Sequence, residues 1–282
     1  MKGGHTFSPL ITRVRAFEID VMTGCGQLIK DYIAVDETLS IYVNDRRIVN
    51  LQASPDLRKQ LALGYLITEG FINSIDEVEE VRTEDSTVYV KLAAAYTPTE
   101  ETSKKVIPIV DTASSVTKPD LVKILNISKI PLASRTKLNI AKIIYMVRNF
   151  GKKSKLYRKT HGTHSAAIFT FNGKLVSFAE DVSRHNAVDK VIGDASLKRA
   201  DFEHCVLLSS GRQPVDMVLK AARSRIPIVV SFAHPLNSGI IAAEKTGITL
   251  VYVSRKRIIV YTNTKRLKFQ PTFFKGKTKQ KA

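Results

Sequence analysis

Residues 204–231, HCVLLSSGRQPVDMVLKAARSRIPIVVS, decide the fold. The run 204–209 is short and apolar without alternation, which fits a strand covered on both faces. Ser210-Gly211-Arg212-Gln213-Pro214 is a tight loop, and 213–224 carries apolar residues at helical spacing. A second apolar run fills 227–231. Strand, helix and strand in this rhythm make a parallel crossover unit. Downstream the rhythm continues as helix 236–246, strand 248–253 and strand 257–262. Upstream lie a helix over 185–197 and a hairpin, Ala166–Phe171 and Lys174–Phe178 joined by Asn172-Gly173, the turn pair that hairpins favour. The second half is therefore an α/β sheet with helices on its faces.

The first half has a different pattern. The first 20 residues show no period and are expected to be irregular. Tyr32–Val35, Leu39–Val43 and Ile48–Gln52 read as strands, the last two joined at Asn44-Asp45-Arg46. Ser54-Pro55-Asp56 predicts a helix start, followed by a buried helix that stops near Gly70. Ser86–Leu92 alternates as a strand, and 94–105 has linker composition. In the second half a helix over Lys137–Phe150 ends at Gly151, and the basic stretch Gly151–Lys159 is expected on the surface. These patterns give an α+β domain over 1–120, an α/β domain over 121–265 and a basic tail over 266–282, with the boundary within 112–135.

Composition narrows the function classes. Hydrophobic residues make up 44% and charged residues 25%, as in a packed globular chain. No run of about 18 apolar residues exists and no signal peptide is evident, so no membrane span and a cytoplasmic location are expected. Two cysteines, Cys25 and Cys205, are too few for a disulfide framework and lack zinc-site spacing. The net charge of +18 is local: 121–160 holds 11 Lys/Arg, 251–282 holds 10, and neither holds an acid. Such patches suggest a polyanionic partner, with nucleic acid and a multiply phosphorylated cofactor as the two candidates, or a solvating tail, the reading preferred for the residues from Pro271 onward.

Three segments could carry chemistry. The loop Ser210-Gly211-Arg212 aims backbone N–H groups and a helix start at whatever sits above the strand ends, with hydroxyl and guanidinium donors beside them. Glu180–Lys190 crowds polar side chains, among them Arg184, His185, Asn186 and Lys190, where a strand gives way to a helix. His161 and His164 stand three apart without acidic or Cys partners, so a hydrogen-bonding role for His164 is preferred over a metal. Cys205 reads as a buried small hydrophobe, and Cys25, between Gly24 and Gly26, as an exposed thiol.

These residues resemble one family. Glu180–Lys190 is similar to the E-D-V-G-R-H-N-A-V-D-K motif of the FdhD/NarQ family, departing only at Ser183. Ser210-Gly211-Arg212 with Val218, Lys220 and Ala221 resembles its S-G-R…V-x-K-A segment, and Thr160, Gly162 and His164 its T-G-G-x-H. Gln60–Gly70 resembles its E-L-A-L-G-F-L-x-T-E-G, and Gly247–Leu250 with Tyr261-Thr262 its closing strands. The resemblance implies a cytidine-deaminase-like three-layer α/β/α domain behind a smaller α+β domain, without the deaminase zinc signature and so without zinc. It implies an accessory protein of formate dehydrogenase, or of another molybdoenzyme. Such a protein takes sulfur from a cysteine desulfurase and passes it to molybdenum bis(molybdopterin guanine dinucleotide), bound as a client. Cofactor contacts are then expected at His164, Arg184, His185, Asn186, Lys190, Ser210, Gly211, Arg212 and Val253-Ser254-Arg255-Lys256-Arg257. The family's sulfur-carrying cysteines correspond here to Ser114 and Thr117, and a hydroxyl cannot form a persulfide. Either another thiol carries the sulfur, with Cys25 the fallback, or the chain binds the cofactor as a chaperone without sulfur transfer. The chaperone ranks slightly first and nucleic-acid binding well below both. Whether the chain forms a homodimer is left open.

Overall fold

The computed structural model describes residues 9–93 and 137–269. Strand β1 (Ile11–Ile19) and strand β2 (Gly26–Ala34) pair antiparallel as a two-stranded arm. Strands β3 (Glu37–Val43), β4 (Arg46–Ala53), β5 (Val78–Glu84) and β6 (Thr87–Leu92) form a second sheet in the order β4-β3-β6-β5. Helix α1 (Arg58–Thr68) lies between β4 and β5 in the chain. After the short β7 (Leu138–Asn139) come α2 (Ile140–Lys153), α3 (Lys155–Thr160), β8 (His164–Thr170), β9 (Leu175–Asp181) and α4 (Arg184–Leu197). The chain continues as β10 (Cys205–Ser209), α5 (Val215–Arg223), β11 (Ile228–Ser231), α6 (Asn237–Thr246), β12 (Thr249–Val253), β13 (Ile258–Val260) and β14 (Leu267–Lys268).

The main sheet has the order β13-β12-β11-β10-β8-β9, with β10, β11 and β12 parallel and the others antiparallel to their neighbours. Side chains alternate across it as a period of two demands. Phe169, Val206, Leu208, Ile228, Val230 and Val251 face α2 through Ile143, Met146 and Phe150. Ile168, Leu207, Val229 and Leu250 face the other way and join one core with α4, α5 and α6. This is the three-layer α/β/α arrangement that the resemblance implied. The second core does not stop at the helices. It runs on through Leu61, Ala62 and Leu66 of α1 to Leu39, Ile41, Val88 and Val90 of the second sheet.

Where α1 crosses α4 the two backbones touch. A Cβ built on Gly64 would lie 1.8 Å from Asp189 O, and one on Gly193 would lie 1.9 Å from Gln60 O. Only glycine leaves room for that approach. Among the described residues no helix is long and apolar enough to cross a membrane.

Several expectations need correction. Ile11–Ile19 is a regular strand, not irregular chain. Each face of the arm mixes apolar and charged residues, so no period of two marks it. Ser54-Pro55-Asp56 does not start a helix; α1 begins at Arg58 after Leu57 in the left-handed region, φ 51°. Ser54 is spent on the second half instead: its amide donates to Asp181 Oδ2 at 3.0 Å and its hydroxyl accepts from Val182 N at 3.2 Å. Gly151 does not end α2, which runs to Lys153, and the basic stretch beyond it folds as α3. The strand Val78–Glu84 has one half-exposed and one exposed face and was not legible from its acidic sequence. The linker and the 112–135 boundary lie outside the described residues, as does the end of the basic tail.

Candidate functional site

The carboxyl ends of β10, β11 and β12 open onto one edge of the main sheet, where open α/β sheets bind their ligands. Antiparallel β8 starts at that same edge, which puts His164 beside the Ser210 loop. His164 Nδ1 lies 3.2 Å from Ser210 Oγ, and Ser210 Oγ accepts from the Ser165 amide at 2.9 Å. The Ser210 amide in turn donates to Ser165 O at 3.0 Å. The turn after it is pinned from below. Gln213 Nε2 donates to Gly211 O at 2.8 Å, and Ser231 Oγ lies 2.9 Å from the same oxygen. Arg212, between these anchors, is exposed.

Gly211 is required by its neighbour. A Cβ there would meet Cδ and Cβ of Arg184 at 2.7 and 2.8 Å, so the arginine stem lies across the turn. Nε of Arg184 is buried and meets no hydrogen-bond partner among the described residues. His185, the next residue, places Nε2 2.6 Å from Asp216 Oδ2 in the first turn of α5. Burial opposes the charge of Asp216, but the hydrogen bond and charge of His185, the Met217 amide and Arg184 hold its carboxyl below the usual range. His164 is also shifted downward, which for a base disfavours the charged form. Burial first, then the charges of Arg184 and His185, lower its pKa, so the ring is neutral near pH 7.

At the end of β11, His234 stacks on Tyr252 with ring centroids 3.8 Å apart and reaches Tyr261 Oη at 3.3 Å. One strand further on, Val253 ends β12 buried, and Ser254 closes a tight turn by donating its amide to Arg257 O at 2.9 Å. Arg255, Lys256 and Arg257 are exposed on that turn. Thus His164, Arg184, His185, Ser210, Gly211, Arg212 and the 253–257 turn share one edge of the fold.

Asn186 and Lys190 do not face that edge. Asn186 is buried and donates to Gln52 O at 2.8 Å and Asp181 Oδ1 at 3.1 Å. Lys190 is fully buried, with Nζ 2.7 Å from Asp181 Oδ2, 2.5 Å from Asp56 Oδ1 and 3.0 Å from Ser54 O. Both are committed to the first half of the chain and hold Arg184 and His185 from behind. Lys220 repeats the device, reaching both Asp189 oxygens at 2.9 Å and Glu69 Oε1 at 2.8 Å. Burial works against its charge, but the two carboxylates outweigh that and raise its pKa.

Ser114 and Thr117 lie outside the described residues. Cys205 is buried and its thiol is pushed up to about 12 by burial and Asp201. Cys25 is exposed at the far end of the arm. The arm is rooted beside the site, since Ala34 abuts Gly162 and Lys159 Nζ sits 4.1 Å from the Tyr32 ring centroid. Eight residue steps lead from Ala34 to Gly26, so the thiol stands about 27 Å from that root. Pro214, Asp216 and His234 fall near the pocket that the resemblance implies, but the sequence gives Asp216 and His234 no partner and does not single out Tyr252. Their signal is positional, at a helix start and a strand end on the ligand side of the sheet.

Comparison with known proteins places these features. The FdhD/NarQ family profile matches residues 34–268. A sulfur carrier protein FdhD of Sulfolobus acidocaldarius is 32% identical over 245 residues, 84% of this chain and 92% of that one. One from Methanothermobacter thermautotrophicus is 29% identical over 259 residues, covering 92% and 99%. The crystal structure of an accessory protein ascribed to formate dehydrogenase in Desulfotalea psychrophila superposes with a TM-score of 0.75. It is 30% identical, covering 92% of this chain and all of that one.

Proposed function

Because the chain belongs to the FdhD/NarQ family, we propose that it serves the maturation of a formate dehydrogenase or another molybdoenzyme. In this reading it holds molybdenum bis(molybdopterin guanine dinucleotide) as cargo at the carboxyl edge of the main sheet. The observation that carries it is the Arg184–Gly211 contact, which leaves a buried guanidinium Nε without a partner among the described residues, beside a turn and a helix start. That donor set suits the pyrophosphates of a guanine dinucleotide. The residues have separable tasks. Arg184, Arg212 and the Ser210 turn bind phosphate oxygens, while Arg255, Lys256 and Arg257 draw the cargo in. The His234–Tyr252 stack offers a face for a guanine ring. Asp216 fixes the His185 ring, and neutral His164 positions Ser210. The cargo supplies the molybdenum chemistry; the chain binds and orients.

Isothermal titration of the full chain with GDP tests this directly. Saturable binding that Arg184→Ala weakens at least tenfold is expected, a loss of about 1.4 kcal/mol. Absence of saturable binding by the unaltered chain would refute it.

A second reading adds sulfur transfer, and the exposed Cys25 thiol favours it. Its thiolate would attack the outer sulfur of a cysteine desulfurase persulfide, breaking that S–S bond and releasing the desulfurase thiolate. Intact-mass measurement after incubation with desulfurase and cysteine decides it. One added sulfur, removed by reductant and mapped to Cys25, supports transfer. An unchanged mass, beside a relative that does gain sulfur, leaves the cofactor chaperone.

A further inference from the structure

A second cavity, of about 230 Å³, opens at the amino edge of the main sheet. Two of its lining residues, Phe202 and Arg225, lie just before β10 and β11 begin. The length of β10, five residues or about 15 Å, therefore stands between it and the Ser210 turn. Ile67, Ile75, Ala200 and Phe202 give it an apolar lining. Among them is Ser196, 7% exposed, whose hydroxyl is buried and meets no partner among the described residues. Buried hydroxyls ordinarily find one, so this donor waits on something else.

Three arginines complete the lining. Arg223 donates to Thr68 O at 2.6 Å and closes the end of α1. Arg199 and Arg225 are exposed, and bond Asp76 through Nη1 and Glu203 through Nη2. A guanidinium has five N–H donors, so each keeps several for an anion. Their backbones are unusual. Arg199 follows α4 at φ 54° and Arg225 follows α5 at φ 61°, the left-handed region that favours glycine. The helix ends need only the backbone there, since the two amides donate to Ser196 O and Ala222 O. Two arginine side chains kept in strained conformations on one cavity point to a task for them.

We propose that this cavity binds a small carboxylate carried on a short apolar chain, either a free acid or the carboxyl terminus of a polypeptide. Arg199 and Arg225 take the carboxylate, Ser196 supplies a further donor, and Ile67, Ile75 and Phe202 cover the chain. Size agrees, because the volume holds roughly seven non-hydrogen atoms at about 30 Å³ each, the share of one water. Charge selects the head group. Asp76 and Glu203 stay beside the two arginines, so a single negative charge is better matched there than a phosphate dianion.

NMR titration of the full chain, carrying isotope-labelled arginine, with isovalerate tests the site. Saturable shifts at Arg199, Arg223 and Arg225 are expected at about millimolar concentration. Isoamyl alcohol, the same chain without the charge, should produce none. An Arg199→Gly/Arg225→Gly variant, followed at Arg223, should bind at least tenfold more weakly. It should melt no lower than the unaltered chain, because glycine relieves the left-handed strain and exposed ion pairs contribute little. Lost binding is then not lost folding. The peptide acetyl-diglycyl-leucine tells the sources apart: tighter binding than isovalerate marks a polypeptide terminus, weaker binding a free acid. The proposal is overturned if neither carboxylate saturates, or if the alcohol or the amidated peptide binds as well as the acid. Undiminished binding by the glycine variant, or competition from GDP, overturns it equally.

Discussion

Lys190 ends its side chain between Asp181 and Asp56 with no exposed surface. Removing one member of a buried ion pair leaves the other charged and stranded, at a cost of about 3–5 kcal/mol. Lys190→Ala is therefore expected to lower unfolding stability by that amount in urea titration, and Lys190→Met with Asp181→Leu to recover much of it. A loss within 1 kcal/mol of zero would show the pair to be incidental. His164 makes a second prediction. Its depressed pKa means the folded site resists a proton that the unfolded chain accepts below about 6.5. This group's contribution is thus fully present above that pH and is lost as the pH falls through the folded value. The His164 ring should titrate below 6.5 by NMR, and Arg184→Gln should move it upward. At this scale the polar segment 180–190 was legible as special, but its division of labour was not. Arg184 and His185 stand at the carboxyl edge of the main sheet, whereas Asn186, Asp189 and Lys190 face inward. Their partners, Gln52, Ser54, Asp56 and Thr68, lie more than 120 positions away in the chain. Nothing local encodes such a pairing.

Among the elements, the α1–α4 crossing is the most constrained. Gly64 and Gly193 each admit the opposing backbone where a methyl group would overlap it by more than an ångström. Backbone cannot give way as a side-chain end can, so Gly193→Ala should cost about 3 kcal/mol or more in a thermal or denaturant melt. An unchanged melt would mean the helices separate easily. The strands of the main sheet were legible because burial on both faces selects unbroken apolar runs, and Asn172-Gly173 fixed the hairpin turn. Strand β1, the first part of β2 and α3 were missed for the opposite reason, and only the end of β2 was read, as Tyr32–Val35. They bury little, so their sequences carry no strong apolar period. Ser54-Pro55-Asp56 misled because its capping chemistry serves Asp181 and Val182 rather than a helix of its own.

Taken whole, the chain carries +18, much of it in stretches without acids. Screening shortens the reach of such charge from about 30 Å at 0.01 M salt to about 8 Å at 0.15 M. Guanine nucleotide affinity should accordingly fall several-fold over that range by titration, while a salt-independent constant would assign binding to buried contacts alone. The position of Cys25 also has a kinetic consequence. About 27 Å of ribbon is more than a side chain spans, so a sulfur accepted at the arm tip would be handed on by a second molecule. Delivery would be an encounter between molecules, and its initial rate would grow with the square of the protein concentration until pairs saturate.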